Sequence, residues 1–301
     1  MKASFPACCT AWSLLLTATS LAHPPGLASP RPSPAELVRK AVDNEVKAAK
    51  EDISRFLFVG TRTTPKGSTT KIYVETKEAT AGMIVALNGK PLTPEQRRTE
   101  EARVERFLSN PAELRKKRKQ EQEDEDRTLR IVRALPAAFL FEYVGEETGS
   151  FGIGRPGDPL VKLSFKPNPD YSPPSRVEQV LAGMQGVLLI DAARDRVAAI
   201  EGTLYREVSF GWGILGHLDK GGHFLVQQQE LSESRWEISR MSLSFTGKIL
   251  LVKGLTISST EVFSGFRQVP SDLTFAEALE LLKKEEAAFA EHPTLGRLAV
   301  R

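Results

Sequence analysis

Apolar positions divide the chain into stretches of two different periods. From Ser33 the residues Leu37, Val38, Ala41 and Val46 recur at helical spacing, as on one face of a helix, with Ser33 placed to cap it and Pro34 at its first position. Arg39, Lys40, Asp43, Glu45 and Lys47 form the solvated rim of that helix. The period then becomes two. Arg55 to Arg62, Thr69 to Glu78 and Met83 to Leu87 are β-rich runs separated by Pro65-Lys66-Gly67 and Asn88-Gly89-Lys90-Pro91, which predicts a meander. In the second run Ile72 and Val74 alternate with Lys71, Tyr73 and Glu75, as in a strand with one wet face.

A helical, heavily charged pattern interrupts the strands at about 93–134, starting at the cap-like Thr93 and carrying a narrow stripe of Val104, Phe107 and Leu108. Its basic block, Arg115 to Lys119, lies beside an acidic one, Glu121 to Asp126, so the charges compensate one another along the helix. A helical arm or lid over the sheet is expected there, rather than a surface for nucleic acid.

Strand patterning then dominates. Phe139, Phe141 and Tyr143 point one way while Leu140, Glu142 and Val144 point the other, and Leu160 to Phe165 follows a Gly/Pro-rich loop. The Pro-rich crossing Lys166 to Pro174 cannot be a central strand, because proline lacks the ladder donor. A short helix, Val177 to Met184, precedes the strand candidates Gly186 to Asp191, Arg196 to Tyr205, Glu207 to Phe210, Gly222 to Glu230, Ser234 to Phe245 and Lys248 to Phe263. The turns among them, Asp191 to Asp195, Ser232 to Ser234 and Thr246-Gly247, are too short for parallel crossovers. A last helix, Phe275 to Phe289, is capped by Asp272 or Thr274 and turns Ala276, Leu279, Leu282 and Ala287 inward. The fold class expected is α+β, mainly antiparallel: an open half-barrel wrapping the N-terminal helix and further helices, with Gly202, Gly211, Gly213 and Gly254 as places to bend.

The first residues change the picture of where the chain works. Lys2, the apolar stretch Ala11 to Leu21, and small residues at Ser20 and Ala22 have the form of a cleaved secretory signal, with cleavage after Ala22 and Ala28 as the second site. That divides the chain into a signal at 1–22, a Pro-rich linker at 23–32 and one domain at 33–301, exported to the periplasm or beyond and soluble after cleavage. Both cysteines, Cys8 and Cys9, fall in the removed piece, which excludes thiol catalysis and disulfides; they precede the apolar stretch, unlike a lipoprotein's acylated cysteine. A net charge of +3, or +2 without Lys2, gives no reason to expect nucleic acid, and no later segment is apolar enough to span a bilayer.

The search for chemistry finds no catalytic centre. His217 and His223 match no metal motif and read as the two ends of a hairpin turn, so no metal and no cofactor is expected. No Gly-x-Ser-x-Gly elbow occurs, and Phe151 to Gly157 lacks the helix that a phosphate-cradling loop needs. Asp191, Glu201 and Glu207 carry acid/base potential without a pattern that pairs them.

Glu36 to Glu45 as an N-terminal helix, the run of short strands, and Gly186-Val-Leu-Leu-Ile-Asp191 followed by Val197-Ala-Ala-Ile-Glu-Gly202 together resemble periplasmic outer-membrane lipoprotein-sorting proteins and their half-barrel relatives. The resemblance implies an incomplete barrel around helices whose cavity shields lipid chains in transit. The expectation is a non-enzymatic binder or carrier of apolar or lipidated cargo, a lipoprotein among them. Phe141, Tyr143, Leu225, Trp236, Met241 and Phe245 are the candidate cavity-lining residues. Two other readings are an envelope sensor or interaction module that uses the same half-barrel to bind a protein partner, with the charged arm and the Pro-rich crossing as its contacts, and a hydrolase whose site is assembled from distant residues.

Overall fold

A computed structural model describes residues 32–210, 216–232, 235–249 and 253–291. The expected signal, Gly211 and Gly213, and the Ser232 to Ser234 turn beyond Ser232 lie outside the described residues. Helix α1 (Pro34–Glu51) starts at a capping box in which Ser33 and Glu36 satisfy each other's backbone amides. A meander follows: β1 (Arg55–Thr64), β2 (Gly67–Val74), β3 (Ala81–Leu87) and the short β4 (Lys90–Pro91). The charged arm is two helices, α2 (Pro94–Ser109) and α3 (Pro111–Ala138); Asn110 ends the first and caps the second. Then come β5 (Phe139–Thr148), β6 (Pro159–Pro167), a helical turn made of α4 (Arg176–Gln179) and a 3-10 segment (Val180–Gly183), β7 (Met184–Asp191) and β8 (Arg196–Leu204). The chain continues with β9 (Val208–Phe210), β10 (Gly216–Leu218), β11 (His223–Glu230), β12 (Trp236–Ile249), β13 (Lys253–Val269) and α5 (Phe275–Glu291).

Every ladder between these strands is antiparallel, in the order β4-β3-β2-β1-β13-β12-β11-β8-β7-β6-β5, with the β9–β10 hairpin attached beside β12. The sheet does not close: β5 and β4 are its two ends, which makes it the open, helix-bearing half-barrel expected. Register irregularities at Leu57/Val59, Thr70/Lys71, Tyr143/Gly145, Leu189/Ile190 and Gln227/Gln228 mark bulges, which raise local twist and curl a sheet.

Several expectations need correction. The turn read at Thr246-Gly247 is not one: β12 runs through both, pairing Thr246 with Thr256 and Gly247 with Leu255. Gly247 serves instead a close approach by β10, since a Cβ there would lie 2.1 Å from the His217 carbonyl oxygen. Gly202 and Gly254 sit in regular ladder and are not the bulges; Gly202 leaves room for the Phe224 ring, 2.5 Å from where its Cβ would stand. His217 and His223 do not close one hairpin. They lie in succession along the same edge of β12, opposite Lys248 and Ser244. In α5 the buried face is Phe275, Ala278, Leu279, Leu282 and Glu286, so the period begins one residue earlier than expected and Ala276 and Ala287 face solvent.

The two main cores lie on opposite faces of this sheet. Leu57, Ile72, Val74, Met83 and Val85 pack with Val104 of α2 and with Phe275, Leu279 and Leu282 of α5. At the other end Leu163, Leu188, Ile190 and Phe245 pack with Leu37, Val38 and Ala41 of α1 and Leu135 of α3. Alternation connects the two. Phe245 pairs with Ile257, and β13 runs without irregularity to Phe263, which pairs with Gly60. The face of α1 is therefore continuous with Phe58, Gly60 and Phe263, and opposite to Leu57 and Val59. Glu100 of α2 accepts from the Ile84 amide at 2.7 Å and blocks the edge of β3 beyond the short β4.

Candidate functional site

On the face continuous with α1, behind the α5 core, lies an aromatic shelf. Phe58 stacks on Tyr73 at 5.1 Å and on Phe266 at 5.2 Å, and meets Phe263 edge-on at 6.0 Å. All four rings are half-buried, and none belongs to the buried clusters of the described residues. The placement of Tyr73 and Phe263 depends on glycine. A Cβ at Gly60 would lie 2.9 Å from the Tyr73 ring and 3.0 Å from Phe263, and one at Gly82 3.1 Å from Tyr73, so the rings cover backbone rather than neighbouring side chains. The rim is polar: Arg62 pairs with Glu261 at 3.4 Å, and burial, with Glu261 nearby, pushes the Tyr73 phenol up from its ordinary pKa. Met241, opposite Glu261, and the exposed Ile257 extend this face toward Phe245.

The six cavity candidates do not converge on one place. Phe245 is buried in the α1 core, with Phe141 and Tyr143 packed against it. Trp236 is buried in a separate cluster with Leu160, Leu189, Ala198 and Ala199, the Arg196 guanidinium 5.5 Å from its ring. Leu225 lies across from Ser242, on the face opposite Phe224 and Leu243, and Met241 alone of the six borders the shelf. The four shelf rings were missed. Their signal was Phe58-x-Gly60 facing Phe263 in a strand otherwise patterned for burial on its other side.

At one end of the sheet, beside a cleft of about 330 Å³ lined by Asn44, Lys47, Asp52, Ile53, Arg194 and Arg196, charged groups hold α1 to the strands. Arg196 takes Glu45 of α1 in two bonds of 2.9 and 3.0 Å. Arg194 reaches Asp158 at 2.7 Å, Asp191 at 2.8 Å and Glu230 at 3.2 Å. Arg235 meets Asp52 at 3.4 Å, Glu75 at 3.3 Å and Glu237. Three carboxylates around one guanidinium leave surplus negative charge in a dry place. Burial pushes the Glu237 carboxyl up to about 7 against the pull of Arg235, with Glu75 and Asp52 adding to the rise. Burial raises Glu75 in the same way. Asp52 pays a burial penalty too, but the Ser54 amide and hydroxyl and Arg235 outweigh it and hold its pKa low.

All three arginines are already paired, so this end acts as a clamp rather than an anion site. Nor do the carboxylates singled out in the sequence assemble an acid/base pair. Asp191 accepts from the Ala193 and Arg194 amides inside its own turn, Glu201 pairs with His223 at 2.9 Å, and Glu207 accepts from the Ser209 hydroxyl.

No helix among the described residues is long and apolar enough to cross a membrane. No family model and no curated protein matches the chain. Among solved structures it is similar to an outer membrane lipoprotein-sorting protein domain from Vibrio parahaemolyticus, at 11% identity and a TM-score of 0.27, over 82% of this chain and 99% of that one. It is also similar to a DUF1329 family protein from Desulfovibrio piger, at 12% identity and a TM-score of 0.27, over 86% and 98%. A third similar structure is MucB in complex with MucA(peri), at 7% identity and a TM-score of 0.21, over 77% and 94%.

Proposed function

We propose that this chain is a non-enzymatic binding or carrier protein of the cell envelope, exported by residues 1–22, that takes apolar or lipidated cargo on the shelf of Phe58, Tyr73, Phe263 and Phe266. One observation supports the reading: four clustered rings stand half-buried on one face of the sheet and outside its buried clusters, two of them stacked on Phe58 and one edge-on to it. An acyl chain laid on the shelf covers the rings, and the polar rim of Arg62, Glu261 and Lys71 stays available to a headgroup or to water. Native mass spectrometry of protein purified from periplasm should show co-purifying lipid, and a fluorescent fatty acid should bind and be displaced by unlabelled lipid. Phe58→Ala with Phe263→Ala should weaken that binding at least about tenfold, a loss of about 1.4 kcal/mol, with an unchanged circular dichroism spectrum. A folded wild-type protein that carries no lipid and binds no fatty acid overturns the proposal.

A further inference from the structure

Away from the shelf, the β9–β10 hairpin gathers three metal-ligating side chains on one face. Its register pairs Ser209 with His217 and Val208 with Leu218, and Glu207 and Asp219 are the next residues beyond that last pair. Glu207 and Asp219 lie two residues from Ser209 and His217, the spacing that returns a strand to the same face. Glu207, His217 and Asp219 each place one ligand atom within 4.8 Å of the others. Two carboxylates this close repel, and among the described residues no lysine or arginine forms an ion pair with either. His217 Nε2 stands 3.4 Å from Asp219 Oδ1, close to the roughly 3.3 Å that separates two ligands on a tetrahedral centre with bonds near 2.0–2.1 Å.

The surroundings orient this group. The Thr246 hydroxyl of β12 donates to Asp219 Oδ2 at 2.6 Å, leaving Oδ1 toward the imidazole, and the Ser209 hydroxyl donates to Glu207 Oε1 at 3.1 Å. Hydroxyl donors of this kind fix the direction of ligating carboxylates. We infer that Glu207, His217 and Asp219 form a binding site for a borderline divalent cation of the zinc class, two oxygens and one nitrogen from the protein with the remaining positions open to water. The cation offsets the repulsion of the two carboxylates and, through Asp219 and Thr246, fastens the hairpin to β12. The mixed nitrogen and oxygen set favours zinc-class ions over calcium, which takes six to eight oxygens. The inference is independent of the cargo proposal.

The test is calorimetric titration of zinc chloride into full-chain protein freed of any histidine tag, in a non-chelating buffer, with thermal unfolding recorded with and without the metal. One equivalent should bind, with a raised thermal midpoint, and calcium should not compete. Glu207→Gln with Asp219→Asn, and separately His217→Ala, should each weaken binding at least about tenfold, the loss that even an outer partner of a metal ligand causes. His223→Ala, on the neighbouring Glu201 pair, should bind as wild type does. The site is overturned by a wild-type protein that takes up no zinc, by folded hairpin variants that bind as well as wild type, or by an effect of His223→Ala as large as theirs.

Discussion

The two ends of the sheet bury opposite faces. At the β1–β3 end, α5 and α2 cover the side that carries Leu57, Ile72 and Val74; at the β5–β8 end, α1 and the last turns of α3 cover the other side. The strands between show what this costs in burial: β11 is neither fully buried nor exposed at any of its eight positions, and β13 alternates weakly. A long, bulged sheet can thus change which face is inside along its width. The change-over leaves β11 with both faces part-wet, and the aromatic shelf lies on the uncovered face of β1, β2 and β13, behind the α5 core.

The comparison is sharpest if each core is cut at its centre. Leu163→Ala and Leu282→Ala each remove a side chain with no exposed surface, from the α1 and α5 cores respectively, and should cost about 2–5 kcal/mol. Because one continuous ladder joins the ends, urea unfolding followed by far-ultraviolet dichroism and by tryptophan fluorescence should keep a single coincident transition in both variants. A transition split in two, with Leu282→Ala shifting only one part, would show that the opposite faces fold independently.

A smaller effect, read by pH, concerns what joins the ends. Glu237, in the Arg235 cluster that ties Asp52 after α1 to Glu75 beside β2, has its folded pKa raised to about 7, above its ordinary value, so the folded state prefers its protonated form. That contribution is complete below the ordinary carboxylate range and is lost as the pH rises through about 7. Stability should fall across this window, by at most about 1.4 kcal/mol per pH unit, and Glu237→Gln should flatten the profile measured by denaturant midpoint. No change between wild type and variant removes Glu237 as the cause.

The smallest effect concerns the caps. Thr93 and Gln96 close the box that starts α2, as Ser33 and Glu36 do for α1. Thr93→Ala should cost about 1 kcal/mol, and hydrogen exchange should quicken in the first turn of α2 and at the Ile84 amide that Glu100 holds, while α1 stays protected. Equal quickening in α1 would mean that the two helices are not separately seated.

Much of this was legible in the sequence. Period and cap chemistry locate α1, the arm and the meander, and short turns such as Asp191 to Asp195 settle that the strands run antiparallel. What the pattern could not carry was which face each helix covers, since alternation marks two sides without saying which is inside, and both sides of β1 are apolar: Leu57 and Val59 on one, Phe56 and Phe58 on the other. The glycines were legible as special but not in their role, because a bend, a turn and a covering ring all call for a missing Cβ, as Gly202, Gly247 and Gly60 show. The nearness of Glu207 to Asp219 depends on a β9–β10 register that residue spacing alone does not supply.

Helix α3 reaches from one core to the other: Leu114 touches the α5 side, Leu135 is buried on the α1 side, and Gln122 to Thr128 between them are all exposed. Twenty-eight residues of helix make a rod of about 42 Å, fastened near both tips, held again where the Thr80 amide donates to Glu121, and bare from Gln122 to Thr128. The distance between the two cores along this line is therefore spanned by helix rather than by loop. Drawing the cores apart would pull one tip of α3 out of its packing.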